Sequence, residues 1–144
     1  MARPITRGVP RLLHPFFVGL GGSLLIAALF TDYMYSRNSL FQWSNFSTWL
    51  ILGGLVLALL AAIFLLIDIF AFGAGPLRWI DLTLLGAATI LSIFNELVHT
   101  RDAWTSVVPT GLTLSVIVAI LLLIAGVRGW TVAGVPAAGT GARP

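Results

Sequence analysis

The stretch FNELVHTRDAW, residues 94–104, gathers side chains that can hold or transfer a proton. It contains one of only two histidines in the chain, together with charged residues on both sides. On a helix, residues three or four positions apart lie on one face, so Ser92, Asn95, Glu96 and His99 predict a polar face. Asp32 is expected at the same level. We call this predicted group the outer cluster; its members are Asp32, Asn95, Glu96, His99, Arg101 and Asp102.

Two interpretations of the outer cluster follow. Ionisable groups inside a membrane are rare and usually functional, which favours a site that handles protons or a ligand. The alternative is a network at the membrane boundary, in which Glu96, His99 and Arg101 pair with Asp32 and Asp102. The cluster is predicted within about one turn of that boundary. We therefore favour the network, which would close the outer end of the protein.

A second group, the inner cluster, is predicted from His14, Asp68, Arg78 and Asp81. Asp68 lies in FLLIDIFAF, with apolar residues on both sides. It follows Trp49 by 19 residues, about 28 Å along a helix, which places it near the inner boundary. An Asp68–Arg78 pair, assisted by Arg11 or His14, is expected to offset the cost of burying the carboxylate.

The two histidines are not expected to share a haem or another metal. His14 begins the first apolar segment on one side, and His99 ends the third on the other, so most of a core about 30 Å thick would separate them. A single histidine could hold a haem iron or a bacteriochlorophyll magnesium, or serve a quinone, only as a less favoured alternative. The chain has no cysteine and no second ligand at zinc spacing. We expect no metal, cofactor or catalytic residue.

The composition is that of a membrane protein. Mean hydropathy is +1.02, 58% of residues are hydrophobic and 9% are charged, against about 25% charged in soluble domains. The net charge of +3 comes from scattered arginines, which argues against a nucleic-acid surface. Membrane lipid and other membrane subunits are the expected partners.

Four apolar stretches are long enough to cross a hydrocarbon core, which takes about 20 helical residues. Because their apolar character is continuous rather than alternating, helices are favoured over barrel strands. The predicted fold is all-α, an integral membrane four-helix bundle over residues 12–130, with spans near 12–31, 49–70, 81–98 and 107–127.

Arginine placement predicts the orientation. Six arginines fall on the side that holds both ends of the chain, and only Arg37 and Arg101 fall on the other. The positive-inside rule then places both termini in the cytoplasm of a bacterium, with the bundle in its inner membrane. Residues 1–11 are expected to form a basic N-terminal segment, and residues 131–144 a flexible Gly/Pro-rich tail.

Small residues recur every fourth position in three of the predicted helices, a pattern that lets helix backbones approach closely in lipid. We expect these stripes to pack the helices together. They are Gly19, Ser23 and Ala27; Gly54, Ala58 and Ala62; and Gly111, Ser115 and Ala119.

Several segments resemble a bacterial inner-membrane family known as domain of unknown function 2231. These are LHPFFVGL, TDYMY, the stretch from Trp43 to Asp68, and the block from Asn95 through Ser115. The resemblance implies a four-helix inner-membrane protein with no established activity, and some relatives look like companions of periplasmic redox systems. Relatives with an extra histidine early in helix three differ from this chain, which has RWIDLTLLGAA there.

Three functions are carried forward. The favoured one is a non-catalytic accessory or anchor subunit of a larger inner-membrane complex, such as a respiratory or photosynthetic one. The alternative is a membrane electron- or proton-transfer protein that serves a quinone or a single haem or chlorophyll. A small transporter ranks third, because few polar residues are predicted at mid-membrane.

Overall fold

The protein is built from four α-helices. The structure is a computed structural model that describes residues 12–101 and 103–135, with only the backbone of Ala103 and Trp104. All four helices are long and apolar enough to cross a membrane, so the all-α, membrane-spanning architecture predicted from the sequence is confirmed. The helices are α1 (His14–Asn38), α2 (Phe41–Phe70), α3 (Trp79–His99) and α4 (Thr110–Val127), and a 3₁₀ turn covers Ala103–Ser106.

The first two helices extend well beyond the predicted spans 12–31 and 49–70. Only Ser39 and Leu40 separate them, so most of SRNSLFQWSNFS is helical rather than a loop. Ser39 makes the turn with φ 55°, and the Asn38 side-chain oxygen accepts the Leu40 N–H at 3.0 Å. Buried Tyr35 and Ser44 show that packing between the helices continues past the hydrocarbon length used for the prediction.

Helices α1 and α2 approach each other most closely at two glycines. A Cβ atom on Gly21 would lie 3.1 Å from the Gly54 carbonyl oxygen, and one on Gly54 would lie 3.2 Å from the Gly21 carbonyl oxygen. Leu25 packs over Gly54, where a Cβ would come within 2.6 Å of it. The two backbones are therefore in direct contact, as small residues permit in membrane helices.

The hydrophobic core lies at the middle of the bundle and receives side chains from every helix. Its buried members are Leu25 and Ala28 from α1, Ile51 from α2, Ala88 from α3, and Val118 and Leu122 from α4. The core is small because most large apolar side chains face outward. This distribution suits a bundle whose surrounding solvent is lipid.

The predicted packing stripes are only partly buried. On α4, Gly111, Ser115 and Ala119 all face the interior. On α2, Gly54 is buried, Ala58 is half-buried and Ala62 is exposed. On α1, Ser23 is exposed and donates to the Gly19 carbonyl, and Gly19 and Ala27 are half-buried. The α1 contact face is instead a neighbouring stripe: Gly21, Gly22, Leu25 and Ala28. Two small-residue stripes lie side by side on this helix, and spacing alone does not say which one faces inward.

Trp130 is inserted between α1 and α4. Its ring occupies space that side chains on Gly22 and Gly126 would otherwise fill: a Cβ at either glycine would lie 2.6 Å from the indole. Trp130 has φ 56° and Gly129 has φ 105°, so the chain turns sharply after α4. This turn directs the following residues back towards the α2–α3 connection and the start of α1.

Residues 131–134, the start of the predicted tail, pair with the α2–α3 connection. Leu77 and Ala133 form an antiparallel bridge. The N–H of Gly75 donates to the Gly134 carbonyl at 2.9 Å, and the N–H of Arg78 donates to the Val132 carbonyl at 2.8 Å. Backbone hydrogen bonds, which cannot be inferred from composition, fix this segment. Residues 136–144 of the predicted tail lie outside the described residues.

Candidate functional site: a buried carboxylate bonded to three helices

The carboxylate of Asp32 on α1 is bonded to one side chain from each of the other three helices. Asp32 is completely buried. Ser47 on α2 donates to its Oδ1, His99 on α3 places Nε2 2.9 Å from the same oxygen, and Ser115 on α4 donates to Oδ2 at 2.5 Å. A single side chain therefore ties the four helices together at one end of the bundle, which we call the Asp32 end.

Asn95 completes this group, which we call the Asp32 network: Asp32, Ser47, Asn95, His99 and Ser115. The Asn95 amide Nδ2–H donates to Ser115 Oγ at 2.7 Å, and its backbone carbonyl lies 2.9 Å from His99 Nδ1. Gly111 leaves room for the imidazole, because a Cβ there would lie 2.9 Å from His99 Cε1.

The predicted outer cluster is brought together in part. Asp32, Asn95 and His99 are joined in the Asp32 network, and His99 contacts Asp32 as expected, with Nε2 2.9 Å from Oδ1. Glu96 is half-buried, and its buried Oε2 atom has no hydrogen-bond partner among the described residues. Arg101 is exposed, and Asp102 lies outside the described residues. The carboxylate that reaches His99 is thus Asp32, two helices away along the chain.

A cavity of about 180 Å³ lies beside His99. Three of its lining residues, Phe41, Asn45 and Arg101, are exposed, so the cavity reaches the surface at the Asp32 end. The remainder of its wall carries hydroxyl groups, including those of Ser44, Thr48 and Ser106. Space of this size lined by polar atoms can hold several water molecules.

At the opposite end of the bundle, the His14 end, Asp68 caps the start of α1. Its carboxylate accepts the backbone N–H of Leu13 at 2.9 Å and that of His14 at 2.9 Å. The His14 Nδ1–H donates to the same carboxylate at 2.7 Å. Helix starts leave N–H groups without partners, and their partial positive charge favours an anion. The last turns of α2 therefore supply the cap that α1 lacks in its own sequence.

The other ring nitrogen of His14 is held by the segment that follows α4. The Val132 N–H lies 3.2 Å from Nε2, and Thr131 Oγ1 lies 3.1 Å from it. A backbone N–H can only donate, so Nε2 must be an acceptor. This leaves the proton of a neutral ring on Nδ1, where it is donated to Asp68.

Asp81 forms a separate ion pair group with two arginines. Arg78 Nε lies 2.8 Å from one carboxylate oxygen, and Arg128 Nε lies 2.5 Å from the other. The hydrogen bond to Asp81 raises the pKa of the Arg128 guanidinium. Since Arg128 follows α4, this group joins the start of α3 to the end of α4.

The predicted Asp68–Arg78 pair is wrong, and the inner cluster divides into two groups. Arg78 lies three residues before Asp81 and pairs with it, while Asp68 takes His14, which we expected only to assist. Arg11 lies outside the described residues. Sequence reasoning overlooked Ser47, Arg128 and Thr131 as partners. Arg128 follows α4 directly, and its charge was the only feature of the sequence that could have identified it as a partner of a buried aspartate.

A second cavity, of about 330 Å³, lies among α1, α2 and α3 towards the His14 end. Its walls are almost wholly apolar and include small residues such as Gly22, Ala61 and Gly86. His14 and Val132 line the end nearest the C-terminal segment. A Cβ at Gly86 would meet nothing within 4 Å, so α3 faces open space here.

The histidines do not fit the axial positions of a haem or a chlorophyll. His14 bonds to Asp68 in α2, and His99 bonds to Asp32, which lies 18 residues after His14 on α1. That separation corresponds to about 27 Å of helix. Both nitrogens of each ring already contact protein groups. Among the described residues, no group of three or more His, Cys, Asp or Glu side chains could hold a metal ion.

The fold and its polar groups define a class: a multi-pass membrane protein of four helices, in which buried carboxylates join the helix ends. The chain belongs to the family described as predicted membrane protein (DUF2231), whose profile matches residues 10–141. This confirms the resemblance found in the sequence. Searches of curated proteins and of solved structures found no significant match.

Proposed function

We propose that this protein is a non-catalytic accessory or anchor subunit of a larger assembly in the bacterial inner membrane, of the respiratory or photosynthetic kind. Both termini would lie in the cytoplasm, so the Asp32 end would face the periplasm. The orientation rests on the positive-inside rule, since most arginines belong to the His14 end.

The observation that carries this proposal is that the three buried aspartates and the two histidines are all bonded within the chain. Asp32, Asp68 and Asp81 are each bonded to side chains or backbone of the same chain. Both histidine rings are also engaged at both nitrogens. Groups held in this way stabilise a bundle, and neither histidine keeps a ring nitrogen open for a metal or a cofactor. For this reason the haem-binding and electron-transfer alternative receives less support.

The apolar cavity of about 330 Å³ among α1, α2 and α3 supports an anchoring role. Gly86 and the small residues around it leave a concavity on a face that would otherwise meet lipid. Small residues at such a position allow a neighbouring helix to approach closely.

The proposal is tested by extracting the tagged chain from its native host in a mild detergent, with an unrelated tagged four-helix membrane protein as the control. We expect defined partners in fixed stoichiometry that are missing from the control. Single-cysteine variants, Gly86→Cys and Ile120→Cys, map the contact by crosslinking, because the chain has no native cysteine. Recovery of the chain alone as a monomer, with no crosslink from lipid-facing positions, would contradict an accessory role.

A further inference from the structure

The contact between His99 and Asp32 requires a proton that neither group carries in its usual state at neutral pH. The His99 Nδ1 lies 2.9 Å from the Asn95 carbonyl oxygen, and a carbonyl can only accept, so Nδ1 carries a proton. The other nitrogen, Nε2, lies 2.9 Å from Asp32 Oδ1. A neutral ring with its proton on Nδ1 would place a lone pair against a carboxylate oxygen. One more proton must therefore lie between Nε2 and Oδ1.

With this proton, the pair is electrically neutral as a unit, either as imidazolium and carboxylate or as imidazole and carboxylic acid. Both groups are buried, and removing the proton would leave one uncompensated negative charge away from water. It would also break a hydrogen bond. If the proton left on His99 were on Nε2, Nδ1 would oppose the Asn95 carbonyl, and if it were on Nδ1, Nε2 would oppose Asp32.

The charged groups around the pair are few. Glu96 lies on α3 one turn before His99, and Arg101 follows the end of α3. Tyr35 on α1 is titratable and lines the same cavity as His99 and Arg101. Helices α2 and α4 present only the hydroxyls of Ser47 and Ser115 to Asp32. Asp102 lies outside the described residues. The pair is therefore the principal titratable unit that the described part of this end holds inside the bundle.

The cavity of about 180 Å³ gives His99 a route to water. His99 lines it from inside, and the exposed residues Asn45 and Arg101 line its mouth. Hydroxyl groups along the wall can order water between the two. In contrast, both ring nitrogens of His14 contact protein groups: Nδ1 contacts Asp68 and Nε2 accepts the Val132 N–H.

We propose that Asp32 and His99 form a proton-binding site that exchanges one proton with water through the cavity at the Asp32 end of the bundle. Uptake takes one proton from a hydronium ion in the cavity, which becomes a water molecule, and places it between Nε2 and Oδ1. Release transfers the proton back to water, and no other covalent bond changes. This site is independent of whether the chain has partner subunits.

The occupancy is tested by ¹⁵N NMR of histidine-labelled protein in lipid nanodiscs between pH 6 and pH 8, with infrared spectroscopy of the Asp32 carboxyl. We expect His99 to carry a proton on Nδ1 and to share a second with Asp32, while His14 carries one on Nδ1 only. In Asp32→Asn, the amide can donate to Nε2, so His99 should become neutral and the protein should bind one proton fewer. Glu96→Gln is the matched control and should leave the shared proton in place.

A wild-type spectrum with Nε2 unprotonated and Asp32 ionised at pH 7 would overturn the proposal. So would a His99 spectrum that is the same in wild type and in Asp32→Asn. An asparagine that donates from its amide nitrogen to His99 keeps its oxygen as the acceptor for Ser115. Ser47 can then donate to the Ala28 carbonyl oxygen, 3.5 Å away, so this variant is expected to fold.

The route is tested by Asn45→Trp, which places an indole at the mouth of the cavity. We expect exchange of the His99 ring protons with deuterated water to slow about tenfold or more, an increase of ~1.4 kcal/mol in the barrier. The exchange at His14 should be unchanged. An unaltered rate at His99 would contradict exchange through the cavity.

Discussion

His99 and His14 each contact a buried aspartate, yet the second nitrogen of each ring gives them opposite properties. In His14 the backbone N–H of Val132 donates to Nε2, so that nitrogen acts as an acceptor. In His99 the carbonyl of Asn95 occupies Nδ1, which requires an extra proton next to Asp32. The group opposite the second nitrogen, rather than the aspartate, decides the charge of the pair.

Gly111 is expected to be essential to the position of His99. In Gly111→Ala the added methyl would lie 2.9 Å from His99 Cε1 and 3.2 Å from the Ser106 carbonyl oxygen. Overpacking of this kind typically costs about 1–3 kcal/mol. The measurement is the free energy of unfolding in mixed detergent micelles. Gly86→Ala is the control, since its methyl meets open space and should leave stability equal or slightly higher. Equal stability of Gly111→Ala and wild type would show that the ring has room to move.

At the scale of elements, α1 depends on α2 for its N-terminal cap. Neither Leu13 nor the residues of its first turn supply a capping side chain, and Asp68 does so from 54 or 55 residues away. A contact between the start of one helix and the end of the next is natural in an antiparallel pair. It makes the first turn of α1 sensitive to a residue that lies far away in the sequence.

Removing this cap should fray the start of α1. In Asp68→Ala the N–H groups of Leu13 and His14 lose their acceptor, and loss of a cap typically costs ~1 kcal/mol. Hydrogen–deuterium exchange should show faster exchange at these two amides, with no change in the middle of α3. Asp68→Asn retains an acceptor oxygen, so its exchange rates at these amides should lie between those of wild type and Asp68→Ala. Unchanged protection of both amides in Asp68→Ala would show that Asp68 does not cap the helix.

The sequence predicts the elements well but not their rotation or their partners. The length of the apolar stretches locates all four helices, because a helix needs about 20 apolar residues to cross the bilayer. The same criterion predicted that α1 ends near residue 31 and α2 begins near residue 49, because it includes only apolar residues. The helices continue through polar residues to Asn38 and from Phe41. The pairing of Asp68 with His14, and of Asp81 with Arg128, depends on which face each helix turns inward. Small-residue spacing misplaced that face on α1, where Ser23 is exposed.

At the scale of the whole molecule, the two ends of the bundle are held by different chemistry. The Asp32 end is joined by side chains from all four helices. The His14 end is joined by Asp68, by the Asp81 ion pairs and by the backbone of residues 131–134. The sequence identified most of these residues as two polar clusters. It could not reveal that residues after Trp130 return to close the second end.

The orientation in the membrane can be measured directly, because the chain has no cysteine. Leu40→Cys lies in the α1–α2 turn and Ala74→Cys lies in the α2–α3 connection, at opposite ends of the bundle. A membrane-impermeant thiol reagent added to intact spheroplasts should label Leu40→Cys only, since the positive-inside rule places Ala74 in the cytoplasm. Labelling of Ala74→Cys alone would reverse the orientation, and labelling of both would contradict a membrane-spanning bundle.

The central claim is that the Asp32 carboxylate holds the four helices together, and Asp32→Ala tests it most directly. This substitution leaves Ser47, His99 and Ser115 without their shared acceptor, and breaking a buried charge pair costs about 3 kcal/mol or more. The free energy of unfolding in mixed micelles should fall by that amount, while Ser23→Ala, at an exposed position, should leave it unchanged. A loss in Asp32→Ala below about 0.6 kcal/mol, the worth of one ordinary interhelical hydrogen bond, would contradict the claim.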